Sequence, residues 1–108
     1  MPLTLRTITH AIFGQGGVEL AAAEVTAQLS TDEYDTTLKH TRINEIPPLT
    51  FTADGSGVAT LLLPDNLGTS YYTIRTFVAG TTDFDNTTPL SMVKIRVTSD
   101  AELVDIIV

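Results

Sequence analysis

Histidines, clustered carboxylates and a glycine-rich loop are the places where this chain could do chemistry. His10 and His40 are the two histidines. Neither has a Ser, Asp or Glu at the spacing of a nucleophilic triad or of an HExxH metal helix, so both read as ordinary residues of a β-domain. Asp32, Glu33 and Asp35 form one acidic cluster, and Asp83 with Asp85 a second. Loop carboxylates of this kind supply oxygen ligands to calcium, but the twelve-residue EF-hand pattern is missing. Metal-free acidic loops are the expectation. A carboxylate pair for glycoside hydrolysis also needs a cleft, and a chain without tryptophan is poor material for a sugar-binding one. Gly14-Gln15-Gly16-Gly17 lacks the spacing of a phosphate loop and has no following Lys-Ser/Thr. It reads as a turn between strands. With no cysteine, thiolate nucleophiles, cysteine-built zinc sites and disulfides are excluded. These residues predict no catalytic constellation, no metal site and no cofactor.

The charge balance narrows the partners. A formal net charge of −7 with six Lys and Arg spread along the chain (Arg6, Lys39, Arg42, Arg75, Lys94, Arg96) argues against a nucleic-acid surface, which needs clustered bases. The start, Met1 to Arg6, lacks the basic and apolar regions of a secretory signal. No apolar run approaches the roughly 18 residues of a membrane helix. The expectation is a chain made and kept soluble, without a membrane partner.

The elements that must position any site read as strands. At 108 residues, 43% hydrophobic and 18% charged, the chain is expected to be one globular domain over residues 1–108. Threonine is abundant, and its branched β-carbon suits a pleated surface better than a helix. Leu49–Val78 holds three apolar, Thr-rich runs: Leu49–Thr52, Val58–Leu63 and Tyr71–Val78. The Asp54-Gly55 pair between the first two predicts a tight hairpin. In the last run, Tyr72, Ile74 and Val78 share the expected inner face. Glu24–Ser30 alternates, with Val25, Ala27 and Leu29 inward and Glu24, Thr26 and Gln28 outward. Leu90–Thr98 alternates likewise, with Val93, Ile95 and Val97 inward. Leu3–Phe13 has its apolar residues on two parities, and a bulge would reconcile them. Val18–Ala23 is the one place where a helical turn is locally plausible. Thr31–Asn44 reads as a long loop or an edge strand, and Ile46-Pro47-Pro48 excludes a central strand. Short strands with evenly spaced turn signals predict an all-β, antiparallel sandwich of about seven strands.

The C-terminus ends on apolar residues. Ser99-Asp100-Ala101-Glu102 has capping-box spacing, and Leu103, Val104, Ile106, Ile107 and Val108 follow. They either pack as a last strand or helical turn on their own domain, or make residues 99–108 a docking tail for a neighbouring subunit. A docking tail predicts that removing residues 103–108 leaves a folded domain that no longer assembles. Phe84 and Tyr34, on the polar loops, complete the candidate partner contacts. Tyr71, Tyr72 and Phe77 are expected to serve core and strand surface. Asn86-Thr87-Thr88 fits a glycosylation sequon, which carries little weight without a secretion signal.

Thr52-Ala53-Asp54-Gly55-Ser56-Gly57-Val58-Ala59-Thr60-Leu61, followed by Pro64, Asn66-Leu67-Gly68-Thr69-Ser70-Tyr71-Tyr72-Thr73-Ile74 and the closing Ser99–Ile106, resembles the Ig-like, transthyretin-like sandwich domains of bacteriophage tail-fibre and other virion proteins. The resemblance spans roughly residues 20–107, and its motifs are turns and core positions. It departs from the family at Gly16–Ala21, where the family has a "P-V-A-G-A" type turn. The resemblance implies a non-enzymatic structural subunit of a bacteriophage particle, made in the bacterial cytoplasm and resident in the virion. The candidate roles are a tail-fibre or appendage attachment protein and a capsid decoration (cement) protein. Its implied partners are capsid, tail or fibre subunits and further copies of itself. A receptor- or glycan-binding module, using the loops at residues 31–45 and 80–89, is the alternative.

Overall fold

Segments in which every second side chain is apolar become the longer strands, and the computed structural model of the protein, which describes residues 2–80 and 88–108, contains nine strands in all. They are β1 (Leu5–Ala11), β2 (Glu24–Leu29), β3 (Glu33–Asp35), β4 (His40–Arg42), β5 (Leu49–Thr52), β6 (Val58–Pro64), β7 (Tyr72–Phe77), β8 (Ser91–Ile95) and β9 (Ala101–Glu102). A 3-10 turn at Leu103–Asp105 follows. No α-helix occurs among the described residues. The fold is all-β, as the threonine-rich alternation predicts.

The strands form a three-stranded sheet in the order β6-β1-β9, a four-stranded sheet in the order β5-β2-β7-β8, and the separate β3-β4 hairpin. All pairings are antiparallel except β1 with β9. One apolar cluster joins the two larger sheets. Ile8, Ala59, Leu61 and Leu63 come from the first, and Val25, Ala27, Leu29, Tyr72, Ile74 and Ile95 from the second. The layers are therefore sandwich-like, each sheet contributing one row of side chains per strand to a common core.

Several sequence expectations change in the folded chain. Leu49–Thr52 and Val58–Leu63 are strands, but they do not pair. β5 pairs with β2, and β6 pairs with β1, so Asp54–Gly57 is a corner between sheets. The corner is built by Asp54, whose carboxylate accepts the N–H groups of Ser56 (2.8 Å) and Val58 (3.1 Å). Its own N–H donates to the Val58 carbonyl at 3.0 Å. The glycine that the corner requires is Gly57, with φ +76°, where a β-carbon would lie 2.8 Å from the Ile12 carbonyl oxygen.

In β1 no bulge is needed, because Ile8 and Ile12 are buried while Leu3 and Leu5 stay exposed. Val18–Ala23 makes no helical turn. Glu19 bridges to Phe13, and the chain reverses at Ala22 with φ 60°, which brings Leu20 against the core. Thr26, expected outward, is buried, since in register it lies between Thr50 of β5 and Arg75 of β7. Val78, expected inward, is exposed because β7 ends at Phe77.

The capping box does not form: Asp100 accepts the Thr7 N–H at 2.9 Å, and Ala101–Glu102 pair with β1. Leu103 then enters the core. The last residues cross to the other sheet, where the Arg96 N–H donates to Ile106 (3.2 Å) and the Val108 N–H to Lys94 (2.9 Å). The tail thus ties the edge of one sheet to the edge of the other. Losing a buried leucine costs about 2–5 kcal/mol. Both Leu103→Ala and removal of residues 103–108 are therefore expected to lower the urea midpoint sharply. A truncated chain as stable as the parent would show that the tail is dispensable to the fold.

Candidate functional site

The β3-β4 hairpin carries opposite charges on its two arms. Turn formation around Asp35, whose carboxylate accepts the N–H groups of Thr37 and Leu38 at 2.9 and 2.8 Å, sets the register. Glu33 then faces Arg42, and Asp35 faces His40. Acids at 33 and 35 and bases at 40 and 42 are placed symmetrically about this turn. That pattern is legible in the sequence, although the segment by itself reads equally as a long loop or an edge strand.

Packing buries one of these pairs. Glu33 has 2% and Arg42 15% of the side chain exposed, with Arg42 Nη2 2.6 Å from Glu33 Oε1. The contact lies off the N–H direction, so it is ionic rather than a well-aligned hydrogen bond, and Arg42 Nε and Nη1 have no acceptor among the described residues. The guanidinium stacks 5.4 Å from the Tyr72 ring centroid, a favourable placement over an aromatic face. Glu33 Oε2 accepts from the Leu67 N–H at 2.9 Å and from the Ser70 hydroxyl. Asn66 extends the network, its side chain donating to Ser70 Oγ at 3.2 Å and accepting the Val97 N–H at 2.8 Å. The Tyr72 hydroxyl donates to the Pro64 carbonyl at 2.7 Å. Burial pushes that hydroxyl up to about 12, against the opposing charge of Arg42.

Arg42 separates two shallow hollows. One lies among Leu29, Ile43, Pro47, Pro48, Leu49 and Tyr72, and the other among Leu3, Asp35, Leu38, His40 and Asp65. The arrangement positions no nucleophile against a base. Nor does it assemble a cation site among the described residues. Asp32 accepts the Asn44 N–H, Glu33 serves Arg42, and Asp35 holds its own turn, so the three acids of the first cluster point to separate tasks. The second cluster, Asp83 and Asp85, lies outside the described residues, as do Phe84 and Asn86.

The candidate contact residues separate by exposure. Leu103 is buried at 2% and belongs to the core, so it is not available to a partner; Ile106 packs partly against the same core. Val104 (68%), Ile107 (47%) and Val108 (67%) are exposed, as is Tyr34 on β3. Tyr34 lies on the β3-β4 hairpin, a separate sheet from those that the tail joins.

His10 points to the inner side of β1, on the parity of Ile8. It is half-buried, and its Nδ1 is without a partner among the described residues. Burial lowers its pKa from the ordinary 6.5. The folded chain therefore holds a neutral imidazole that the unfolded chain protonates. Stability falls as pH drops below the unfolded value, because there the unfolded state binds the extra proton. Between pH 7 and pH 5 the melting temperature is expected to fall less in His10→Gln than in the parent. Equal falls would show that His10 does not contribute.

For the buried pair, removing one partner strands the other charge at a cost of about 3–5 kcal/mol. Arg42→Met alone is expected to be less stable than Glu33→Gln/Arg42→Met in urea unfolding. Simple additivity in that double-mutant cycle would show that the two side chains are energetically independent.

Compared with models of known protein families the chain finds no match, and compared with curated proteins it finds no significant one.

Proposed function

We propose that this chain is a non-enzymatic structural subunit of a bacteriophage particle, either a tail-fibre or appendage attachment protein or a capsid decoration protein. It acts through contacts with neighbouring virion proteins and with copies of itself. The division of its main sheets into three and four strands supports an Ig-like, transthyretin-like form, in keeping with the turn and core motifs of residues 52–74. The observation that carries the functional reading is the amount of large apolar surface left in water. Sixteen large hydrophobic side chains are exposed among the described residues, Ile46, Val18, Tyr34 and Val104 the most fully. Single exposed apolar residues are ordinary, whereas groups of them mark contact surfaces. Val104, Ile107 and Val108 fall close together in sequence within the last five residues, as do Ile43, Ile46 and Leu49 along the approach to β5, and all six are exposed. Many weak contacts of this kind, repeated over a particle, add to durable attachment. Several acidic side chains by contrast are engaged in structure, among them Asp54 at its corner and Glu33 beside Arg42.

A receptor- or glycan-binding module remains the second reading, favoured by the exposed Tyr34 and by the hollow between Arg42 and the Pro47-Pro48 segment. The two readings separate in one comparison. Quantitative mass spectrometry of purified particles is expected to find the chain in fixed proportion to the major capsid or tail protein. Ile107→Ser/Val108→Ser should lower that proportion while shifting stability by less than about 1 kcal/mol, as surface changes do. A chain absent from particles, together with selective glycan binding lost in Tyr34→Ala, would overturn the structural reading.

A further inference from the structure

Strand β6 is an edge with a self-complementary set of open backbone groups. Its one strand partner among the described residues is β1. The Thr7 N–H turns away from β6 to reach Asp100, and the Ile12 N–H turns toward it to reach Gly57. Alternation along β1 therefore aims Arg6, Ile8 and His10 at their register partners Leu63, Leu61 and Ala59. The N–H and C=O groups of Val58, Thr60 and Leu62 face the open side. Val58 has both of its groups bonded to Asp54. Pro64 has no N–H, and its carbonyl takes the Tyr72 hydroxyl. What remains open among the described residues is the N–H and C=O of Thr60 and of Leu62.

We propose that β6 pairs antiparallel with β6 of a second copy of this chain, about a two-fold axis at Leu61. In that register Thr60 of each copy faces Leu62 of the other, and each such pair exchanges two hydrogen bonds. All four open groups of both copies are then satisfied. Centring the axis on Thr60 instead would place Leu62 opposite the occupied Val58. Centring it on Leu62 would place Thr60 opposite Pro64, which cannot donate. The side chains agree with the Leu61 register. Large Leu62 lies beside small Thr60 on the outer face, where both are exposed, and large Leu63 lies beside small Ala59 on the inner face.

Charge selects a second copy over a foreign strand. The chain carries −7, so two copies repel least where they meet on a strip without charge. Val58–Pro64 carries none, and the outward residues of β1 beside it (Leu5, Thr7, Thr9, Ala11) carry none. The acids nearest this strip lie at its two ends, Asp54 held on the Val58 N–H and Asp65 paired with Arg6, so its middle offers a basic partner no charge to meet. Edge strands that stay free usually carry a charge, an internal proline or a bulge. β6 runs in unbroken register from Val58 to Pro64 without any of these. The product is a six-stranded sheet across two copies, a closed two-fold pair.

The inference rests on the contact-protein reading only in naming a partner for it. Pairing of isolated copies and incorporation into particles are separate measurements, and either can fail alone. Sedimentation velocity of the full chain over a range of concentrations is expected to show a dimer. Leu62→Pro removes an N–H that points away from β1, so the β1 ladder is kept. It should weaken the dimer about tenfold or more through its lost hydrogen bonds, with the circular dichroism unchanged. Leu62→Lys provides a second variant whose fold does not depend on proline tolerance. An equimolar mixture of Thr60→Glu and Leu62→Lys chains, which the Leu61 register sets opposite one another, should pair more tightly than either variant alone. A chain that stays monomeric at its highest soluble concentration, leaving the edge to another protein's strand, would overturn the proposal. So would a dimer indifferent to all three substitutions.

Discussion

Two small sheets can exclude water only from the faces they turn to each other, and nearly every long strand here gives one row of side chains to that shared layer. Ile8, Leu61 and Leu63 from one sheet meet Val25, Ile74 and Ile95 from the other with no exposed area beyond a percent. Burial of this apolar area is the main favourable term for a domain of this size. It also explains the tolerance of the outer faces. Once the inner row is satisfied, the opposite parity is free to be threonine, lysine or exposed leucine.

The covalent chain has to pass between the layers without leaving backbone groups unpaired, and two devices serve this, one at the β5–β6 corner and one at the C-terminus. At the first corner, the Asp54 carboxylate and backbone satisfy the N–H and C=O groups that the change of sheet would strand, and Gly57 permits Ile12 and Leu20 to approach. At the C-terminus, residues 100–108 touch β1 through Asp100, the core through Leu103 and the β8 edge through Ile106 and Val108. The tail is therefore part of the closure of the sandwich, and its outward residues Val104 and Ile107 are presented from a fixed backbone. A contact surface on such a segment is pre-organised, which reduces the ordering cost of association.

The buried polar network around Glu33 is directed at structure. The Glu33–Arg42 pair anchors a hairpin to the Leu67–Ser70 turn, and the pair's remaining oxygen is taken by protein donors. A buried ion pair of this kind contributes specificity of placement more than net stability. With these carboxylates and the guanidinium so engaged, the β6 edge and the exposed tail residues Val104, Ile107 and Val108 offer apolar or neutral surface. This accords with the proposed role in assembly and with pairing along β6.

The sequence by itself determined the strand type, the inward parity of Val25, Ala27, Leu29, Ile95 and Val97, and the position of most turns, because alternation and β-branching act locally. It also determined what chemistry was missing, since a chain without cysteine cannot supply a thiolate in any fold. Only the tertiary structure decided which strands pair. Leu49–Thr52 and Val58–Leu63 look like a hairpin because Asp-Gly specifies a reversal but not which sheet each arm joins; that depends on where β1 and β2 lie, far off in sequence. The same holds for Glu33 and Arg42, whose burial needs the Leu67–Ser70 turn, and for Leu103, an apolar residue in an apolar tail until a core closes around it. Local propensity sets the alternation within a strand. Burial and backbone satisfaction between distant strands set its partners, and with them the edge that is left open.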